Sequence, residues 1–586
     1  MKKINRHGIV AAKMSYNSYN ENLGYFCIES LEDGLQAKLS VNACEYSLDG
    51  NTWNSLSAAT NTPAVNTGEK IYFKGNLTPK IFSGIGTFTI SKKCNLKGNI
   101  MSLLYGDDFE GQNDLSGKNW AFYKLLSGCT SLVTTHNLIL PVTTLAEYCY
   151  SYMFEGCTGL TTTPELPATT LASRCYLHMF EGCTGLTTTP ELPATTLASY
   201  CYSSMFSGCT GLTTAPTLPV TTLSSFCYQS MFSDCTSLTT APTLPSTTLA
   251  DSCYYGMFSG TNVLPDCSNI DFTNEAVVAS GGLKGLFYRT KVTDEDLERI
   301  LPKNSESEYC LPVTTLASFC YDSMFYGCTG LTTAPILPAT TLTKQCYKDM
   351  FSDCTGLTTT PELPATTLAE NCYLSMFRGC TGLTTAPTLP ATKLVSYCYQ
   401  GMFSGCTGLT TTPELPVTKL VNSCYSSMFS GCTGLTTTPE LPATTLADNC
   451  YYSMFQGCTG LITAPSLPAT TLASSCYYQM FRGCTGLTTA PSLPATTLAS
   501  NCYNSMFRGC SKLNNITMLA FDISASSCLS SWVSGVSSTG TFVKHPDMTS
   551  LPIGESGIPS GWTVEDYVET NLITFTINGI EYQAEE

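Results

Sequence analysis

Apolar and polar positions recur with a fixed spacing along most of this chain. Cys149, Cys175 and Cys201 lie 26 residues apart, and another cysteine follows each of them eight residues later. One complete unit, residues 157–182, reads Cys-Thr-Gly-Leu-Thr-Thr-Thr-Pro-Glu-Leu-Pro-Ala-Thr-Thr-Leu-Ala-Ser-Arg-Cys-Tyr-Leu-His-Met-Phe-Glu-Gly. A unit of this size cannot bury its own apolar face. The repetition therefore predicts that neighbouring units stack and share one core.

The first half of the unit predicts an extended segment. Residues 160–166 are rich in threonine and are followed by Pro167. β-branched residues favour a strand, and proline bounds it, since proline cannot donate to a ladder of hydrogen bonds. We expect a short strand whose exposed positions are Thr161, Thr162 and Glu165.

The second half of the unit predicts a turn of helix. Tyr176, Met179 and Phe180 follow the i, i+3, i+4 spacing of one helix face, so Met179 and Phe180 should point inward. Gly182 then supplies the left-handed conformation that ends the turn. The fold class expected from the unit is a repeat solenoid with a β-strand and a short helical turn in each unit.

The chain outside the repeats has a different pattern. Short apolar runs between residues 25 and 90 are separated by turn signals such as Asp49-Gly50, which indicates a small β-sandwich-like domain that caps the array. Residues 259–310 break the repeat register, and Thr293 followed by three acids predicts a short helix there. Asn578-Gly579 between two apolar runs predicts a C-terminal hairpin.

These patterns divide the chain into six segments. We expect a polar arm at 1–20, a β-sandwich-like cap domain at 21–100, a first solenoid block at 101–258, an irregular insertion with a short helix at 259–310, a second solenoid block at 311–528, and a C-terminal cap with a β-hairpin at 529–586.

The repeat motif resembles a known family. The run Cys-x-x-Leu-x-x-x-Pro-x-Leu-Pro-x-x-x-Leu-x-x-x-Cys-Tyr-x-x-Met-Phe-x-Gly-Cys is similar to the BspA-like class of leucine-rich repeats, over residues 121–528. The chain departs from that class by a longer unit, and by small residues where the family has isoleucine: Thr163, Ala215, Ala241 and Ala334. The resemblance implies a leucine-rich-repeat solenoid used for surface adhesion or recognition, as in gut bacteria and the phages that infect them.

Composition excludes several classes of partner. Charged residues make up 12% of the chain and the formal net charge is −16. Nucleic acid is unsuitable because its binding requires clustered lysines and arginines that displace counterions. No apolar run reaches the roughly 18 residues of a membrane span. Residues 9–12 are too short for the apolar part of a signal peptide, so no export signal is visible.

Candidate chemistry is sparse. His7, His136, His178 and His545 lie in four unrelated contexts, and no nucleophile elbow or phosphate-binding loop is present. We therefore expect no enzyme, no cofactor and no metal centre. An enzyme whose active site lay in the insertion would have no histidine there to act in catalysis. The acids around Asp107 fit either a calcium site or, as we prefer, a solvated loop.

The two cysteine ladders account for most of the 32 cysteines. Equivalent residues of neighbouring units should lie roughly 4.8 Å apart, which is within reach of a disulfide. A ladder, however, offers each thiol two equal neighbours, which favours reduced cysteines packed as small apolar groups. The seven-residue gap between paired cysteines does not match zinc sites.

Recognition should reside at positions that vary from unit to unit while the framework stays constant. The tyrosine directly after the first cysteine never varies within the units, which favours a packing role. Tyrosine and arginine at the variable positions suit sugar or protein surfaces, although a tolerant solvated face explains the same variation. The candidate binding residues are Arg174, Tyr200, Tyr397, Tyr326, Arg378, Arg482, Arg508, Tyr255, Tyr452 and Tyr478.

These observations favour a non-enzymatic recognition or adhesion protein. We expect a phage virion protein, either a fibre or a decoration protein, that contacts a bacterial or mucosal surface. Its partners would be a surface glycan or glycoprotein, with other virion proteins bound through the N-terminal domain. The alternative is a bacterial cell-surface adhesin that binds host glycoprotein or other cells. The expected location is the virion, or the extracellular or cell-surface space.

Overall fold

The N-terminal part of the molecule is built from β-strands. A computed structural model describes residues 24–42, 44–218, 222–244, 249–279 and 281–568, and the backbone of residues 572–577 and 580–585. The strands of the N-terminal part are β1 (Phe26–Ser30), β2 (Ala37–Leu39), β3 (Cys44–Ser47), β4 (Asn54–Leu56), β5 (Lys70–Gly75), β6 (Phe88–Ile90) and β7 (Cys94–Asn99). Helix α1 (Ser102–Tyr105) and a 3-10 turn (Gly106–Asp108) follow them.

The N-terminal sheet continues directly into the repeats. Its strand order is β4-β3-β5-β1-β7-β8, where β8 (Leu132–Ile139) belongs to the first repeat unit and pairs in parallel with β7. The other neighbours in this sheet are antiparallel, and β2 pairs separately with β6. Buried apolar residues form one continuous cluster that extends from Phe26 to Trp562.

The remaining elements lie in the insertion and at the C-terminal end. Helices α2 (Glu275–Ala279) and α3 (Asp294–Ile300) occupy the insertion, and α3 lies where the Thr293 pattern predicts a helix. Strands β9 (Asn515–Met518), β10 (Thr541–Lys544) and β11 (Thr563–Asp566) form a parallel sheet. Strands β12 (Leu572–Ile577) and β13 (Ile580–Glu585) pair antiparallel. The predicted Asn578-Gly579 turn and the polar arm at 1–20 lie outside the described residues.

The Cys–Cys segment is the part of each unit from the residue before the first cysteine to the second cysteine. We number its positions from the first cysteine: −1 is the residue before it, +1 is tyrosine, +4 methionine, +5 phenylalanine, +7 usually glycine and +8 the second cysteine. In the first regular unit the inward residues Cys149, Tyr150, Met153, Phe154 and Cys157 are at most 1% exposed. The inward orientation of methionine and phenylalanine is as predicted.

The predicted turn of helix is wrong. Backbone φ is positive at every fourth residue of the segment, with values of 57° at Tyr148, 58° at Tyr152 and 69° at Gly156. An α-helix requires negative φ throughout. The glycine at position +7 has the left-handed conformation that the sequence predicts, but it is one of three such positions in each segment.

Stacking explains why a helix does not form. N–H groups at odd-numbered positions donate to the next unit; Tyr150 donates to the carbonyl of Cys175 at 2.9 Å, and Phe154 to that of Met179 at 2.9 Å. The intervening N–H groups donate within the unit to the carbonyl three residues earlier, as Met153 does to Tyr150 at 3.2 Å. In the first regular unit every N–H of the segment is satisfied, half of them by the neighbouring unit.

The extended half of the unit forms isolated bridges rather than a strand. Thr214 pairs with Thr240, for example, and Thr333 with Thr359. The two prolines of each regular unit lack the N–H that a ladder needs. Among the described residues of the array, ladders form at β8, β9, β10 and β11, whose sequences contain no proline.

Candidate recognition surface

The outer face of the Cys–Cys segments carries positions −1, +2, +3 and +6, since the positions between them are buried. All the candidate binding residues lie on this face. Arg378 and Arg508 are exposed and the others are half-buried. By position they are Arg174, Tyr200 and Tyr397 at −1, Tyr255, Tyr452 and Tyr478 at +2, and Tyr326, Arg378, Arg482 and Arg508 at +6.

Position −1 forms a ladder of five side chains in the first block, the N-terminal ladder. Trp120 stacks on Tyr148 with ring centroids 3.9 Å apart, and Tyr200 stacks on Phe226 at 4.6 Å. Between these pairs the Arg174 guanidinium lies 5.4 Å from the Tyr148 ring and 4.8 Å from the Tyr200 ring. Each cation–π contact stabilises the ladder by about 0.5–1 kcal/mol at such a partly exposed site.

The N-terminal ladder includes residues that the candidate set omits. Trp120 belongs to a degenerate unit in which Ala121 and Phe122 replace Cys and Tyr, so only its register relative to Gly128-Cys129 could have identified it. A second row lies beside the ladder, where Tyr152 stacks on His178 at 4.6 Å. These side chains make the first block the most aromatic part of the outer face.

The backbone conformation of the N-terminal ladder is unfavourable for its residues. Trp120, Tyr148, Arg174, Tyr200 and Phe226 all have φ between 57° and 66°. Bulky side chains in this left-handed region cost about 1–2 kcal/mol each. Small or amide residues adopt it more readily. Six of the nine units of the second block have serine or asparagine at the same position, and the other three have Phe319, Gln345 and Tyr397. Large residues therefore occupy this position in five consecutive units of the first block against a local cost.

A second aromatic group lies where the insertion joins the second block. Tyr255, Tyr288 and Tyr326 follow one another, with ring centroids 5.1 Å and 4.8 Å apart. A hydrogen bond to the Asp353 carboxylate raises the pKa of Tyr326 to about 12. The positive charge of Arg378 acts in the opposite direction on the same hydroxyl, and the Asp353 N–H donates to the Arg378 carbonyl at 2.6 Å.

Buried charges support that junction. Asp322 is 2% exposed and lies 3.3 Å from Lys284 and 3.8 Å from Lys348, which belong to the units on either side. Ser323 donates to the Asp322 carboxylate at 2.7 Å. Burial raises the pKa of the neighbouring Asp349. Sequence reasoning missed this group because its members come from three different units and none matches a motif.

A third group lies near the C-terminal end of the array. Tyr452 stacks on Tyr478 with ring centroids 4.7 Å apart. Arg482 and Arg508 occupy the same position in adjacent units. Tyr397 stands apart from these groups and has no ring contact among the described residues. Apart from Tyr397, the candidate residues therefore fall into three separate groups along one face, and not into one site.

The grooves and acidic residues elsewhere in the molecule give less evidence of a binding site. The extended segments bound two shallow grooves of about 400 and 410 Å³, which share Pro413, Glu414 and Pro416. In the described ranges no three His, Cys, Asp or Glu side chains lie close enough to hold a metal ion. Asp107 of the acidic loop accepts hydrogen bonds from Tyr25 at 2.6 Å and Lys74 at 2.9 Å.

Comparison with known proteins gives one match. A family model for the BspA type leucine rich repeat region matches the chain in 6 copies, over residues 129–260 and 315–436. No curated protein and no solved structure matches the chain. No helix in the described part of the molecule is long and apolar enough to cross a membrane. The match covers most of the first block of stacked Cys–Cys segments and the first part of the second, and it identifies the chain as a protein with BspA-like leucine-rich repeats.

Proposed function

We propose that this chain is a non-enzymatic recognition and adhesion protein that contacts a bacterial or mucosal surface through the outer face of its Cys–Cys segments. Repeats of the BspA type are typical of surface-associated, non-enzymatic proteins. One observation carries the proposal: aromatic and cationic side chains occupy the left-handed position in five consecutive units of the N-terminal ladder, whereas serine or asparagine occupies it in six of the nine units of the second block. Strain that local structure does not require is a feature of functional sites.

The framework supports the same proposal. We propose that the stacked units form a continuous solenoid, a rod whose inward positions are constant and whose outward positions are free to vary. We assign residues 21–100 to a sandwich-like domain that caps the rod and attaches it to a carrier. The pairing of β7 with β8 supports a fixed attachment, since it joins this sheet to the first unit.

As carrier we propose a phage virion, in which the chain serves as a fibre or decoration protein. The cysteines of both ladders are buried thiols, which suits folding in a reducing cytosol before release. The alternative is a cell-surface adhesin. Proteomics of purified particles and of uninfected cell envelopes separates the two. Detection in the envelope alone overturns the virion assignment.

Substitutions in the N-terminal ladder test recognition itself. We expect Tyr148→Ser, Tyr200→Ser and Phe226→Ser together to reduce binding to mucin-coated and bacterial surfaces by about tenfold or more, since each aromatic anchor contributes on the order of 1 kcal/mol. Thermal stability should change little, because the relief of left-handed strain, about 1 kcal/mol per residue, offsets the lost stacking.

The matched control changes the extended segments of the same units. Glu165→Ala and Glu191→Ala alter exposed side chains away from the outer face, and this variant should bind like the unmodified chain. Unchanged binding by the ladder variant, or an equal loss in the control, overturns the assignment of recognition to the outer face.

A further inference from the structure

One stretch of this acidic chain contains no acid at all. The whole chain has 44 Asp and Glu against 28 Lys and Arg. Between Asp448 and Asp522, however, there is no Asp or Glu, while Arg482, Arg508 and Lys512 are present. The stretch covers the units of Cys450, Cys476 and Cys502. The surface of these units therefore has a positive charge within a molecule whose net charge is −16.

The two arginines lie side by side on the outer face. Arg482 and Arg508 both occupy position +6, and the Gly483 N–H donates to the Arg508 carbonyl at 2.8 Å, so the two side chains leave the backbone at neighbouring points. Within the described ranges neither arginine forms an ion pair. Like charges at opposed positions of neighbouring strands repel. A bound anion would relieve this repulsion.

Aromatic and amide groups adjoin the arginines. The rings of Tyr452 and Tyr478 stack at position +2, four residues before the glutamine or arginine at +6. Burial raises the pKa of Tyr452, and the charge of Arg482 opposes that rise. The Gly457 N–H donates to the Arg482 carbonyl at 2.7 Å, so Arg482 lies in the unit stacked on that of Tyr452. Gln456 and Gln479 are half-buried neighbours on the same face. The patch thus combines a doubly cationic centre with hydroxyl and amide groups.

We propose that this patch binds an acidic polysaccharide, with its carboxylate or sulfate groups on Arg482 and Arg508 and its hydroxyls on the tyrosine and glutamine side chains. Guanidinium groups form paired hydrogen bonds with such anions, and tyrosine hydroxyls and amides both donate and accept as sugar hydroxyls require. The proposal rests on the proposed function, because it assigns a ligand class to one part of the outer face.

The other polyanions fit less well. An anionic membrane is recognised by clusters of about 4–8 Lys and Arg, whereas three cations are present in this stretch. Nucleic-acid binding commonly neutralises about 6–10 phosphates. The two adjacent arginines of this acidic protein provide too few positive charges for that. A flexible acidic glycan needs only widely spaced charges and many hydroxyl contacts.

Binding of three polysaccharides of matched size to the full chain tests the proposal: polygalacturonate for carboxylates, dextran sulfate for sulfates, and neutral dextran. We expect one or both acidic polymers to bind in a salt-sensitive manner and neutral dextran not to bind. Arg482→Gln with Arg508→Gln should weaken binding by about tenfold or more, as expected for loss of charged hydrogen bonds. Arg482→Lys with Arg508→Lys should retain part of the affinity.

The control variant is Lys393→Gln. It removes one exposed positive charge from an extended segment, away from the outer face of the Cys–Cys segments. This variant should bind the acidic polymers like the unmodified chain. Equal binding of neutral dextran, no binding of either acidic polymer, or unchanged binding by the double glutamine variant overturns the inference. Continued adhesion to mucin or bacterial surfaces in those cases leaves the proposed function standing.

Discussion

The second cysteine of each unit acts as a hydrogen-bond donor between units. The Cys406 thiol donates to the carbonyl of Phe377 in the preceding unit, with Sγ 3.0 Å from the oxygen. The N–H of Cys380 donates to the same carbonyl at 3.1 Å. Equivalent bonds recur through both blocks, for example from Cys183 to Phe154. A small apolar side chain with a weak donor fits this position, which explains why the ladder consists of cysteine.

Alanine substitution at the two ladders should therefore have unequal effects. We expect Cys406→Ala to lower the free energy of unfolding by about 0.5–1 kcal/mol more than Cys398→Ala does. Both residues are fully buried in the same unit, but only Cys406 donates to the neighbouring unit. The difference is small because the Phe377 carbonyl keeps the hydrogen bond that the Cys380 N–H donates to it. Denaturant titration of the two variants measures it, and equal destabilisation would contradict a donor role.

The one predicted helix with clear sequence signals lies at α3, which is fixed at its start by a capping box. The Asp296 N–H donates to the Thr293 hydroxyl at 3.4 Å, and the Thr293 N–H to the Asp296 carboxylate at 3.1 Å. Asp294 ties the helix to the array, since its carboxylate accepts from the Thr332 N–H at 2.9 Å and from the Thr333 N–H at 3.2 Å. Local sequence thus determines this helix, and a tertiary contact determines its place.

Removal of the Asp294 carboxylate should detach α3 without unfolding the array. We expect Asp294→Ala to weaken local stability by about 1–3 kcal/mol, because the Thr332 and Thr333 N–H groups lose a charged acceptor. Hydrogen exchange of the α3 amides should accelerate accordingly, while exchange in the Cys–Cys segments stays slow. Glu295→Ala is the matched control, because Glu295 is exposed on the same helix turn. Faster exchange in both variants would refute the role of Asp294.

At the scale of the whole molecule, the shared core is unusually rich in groups that ionise at high pH. Burial raises the pKa of Cys328, Cys406 and Cys458 from 9.0 to about 12. Burial also raises the pKa of the tyrosines at position +1, such as Tyr347, well above 10.0. These groups repeat in every regular unit, so their effects on stability add along the array.

Stability should fall steeply in alkaline solution. Folding raises the pKa of these thiols above the ordinary value of 9.0, so their contribution to the free energy of unfolding is complete below pH 9. This contribution is lost as pH rises towards 12, because the unfolded chain releases protons that the folded chain retains. Each such group costs about 1.4 kcal/mol per pH unit in this window. Melting temperatures between pH 7 and pH 11 test this. A Cys406→Ala, Cys458→Ala variant should show a shallower decline, and a flat profile would contradict it.

Sequence alone identified the framework and the positions that vary, because both depend on the repeat register and can be found by aligning the units with one another. It also located α3 and several strands between residues 25 and 90, where local propensity and tertiary structure agree, but it did not predict β7 to β11. The sequence did not predict which candidate residues lie close together. Trp120 lies in a unit without the first cysteine, and Asp322 meets Lys284 and Lys348 only because three units stack in that order.

The repeat period, the inward residues and the variable outer positions follow from the order of amino acids, since each unit repeats the same apolar pattern. The backbone conformation of the Cys–Cys segment does not follow from the order of amino acids within one unit. Its spacing suits a helix, but adjacent units offer carbonyls to alternate N–H groups and convert the segment into a series of turns in which every fourth residue has a left-handed φ. Those turns set the outer positions in rows, one unit above another. Stacking, and not local propensity, therefore decided which side chains meet on the recognition surface.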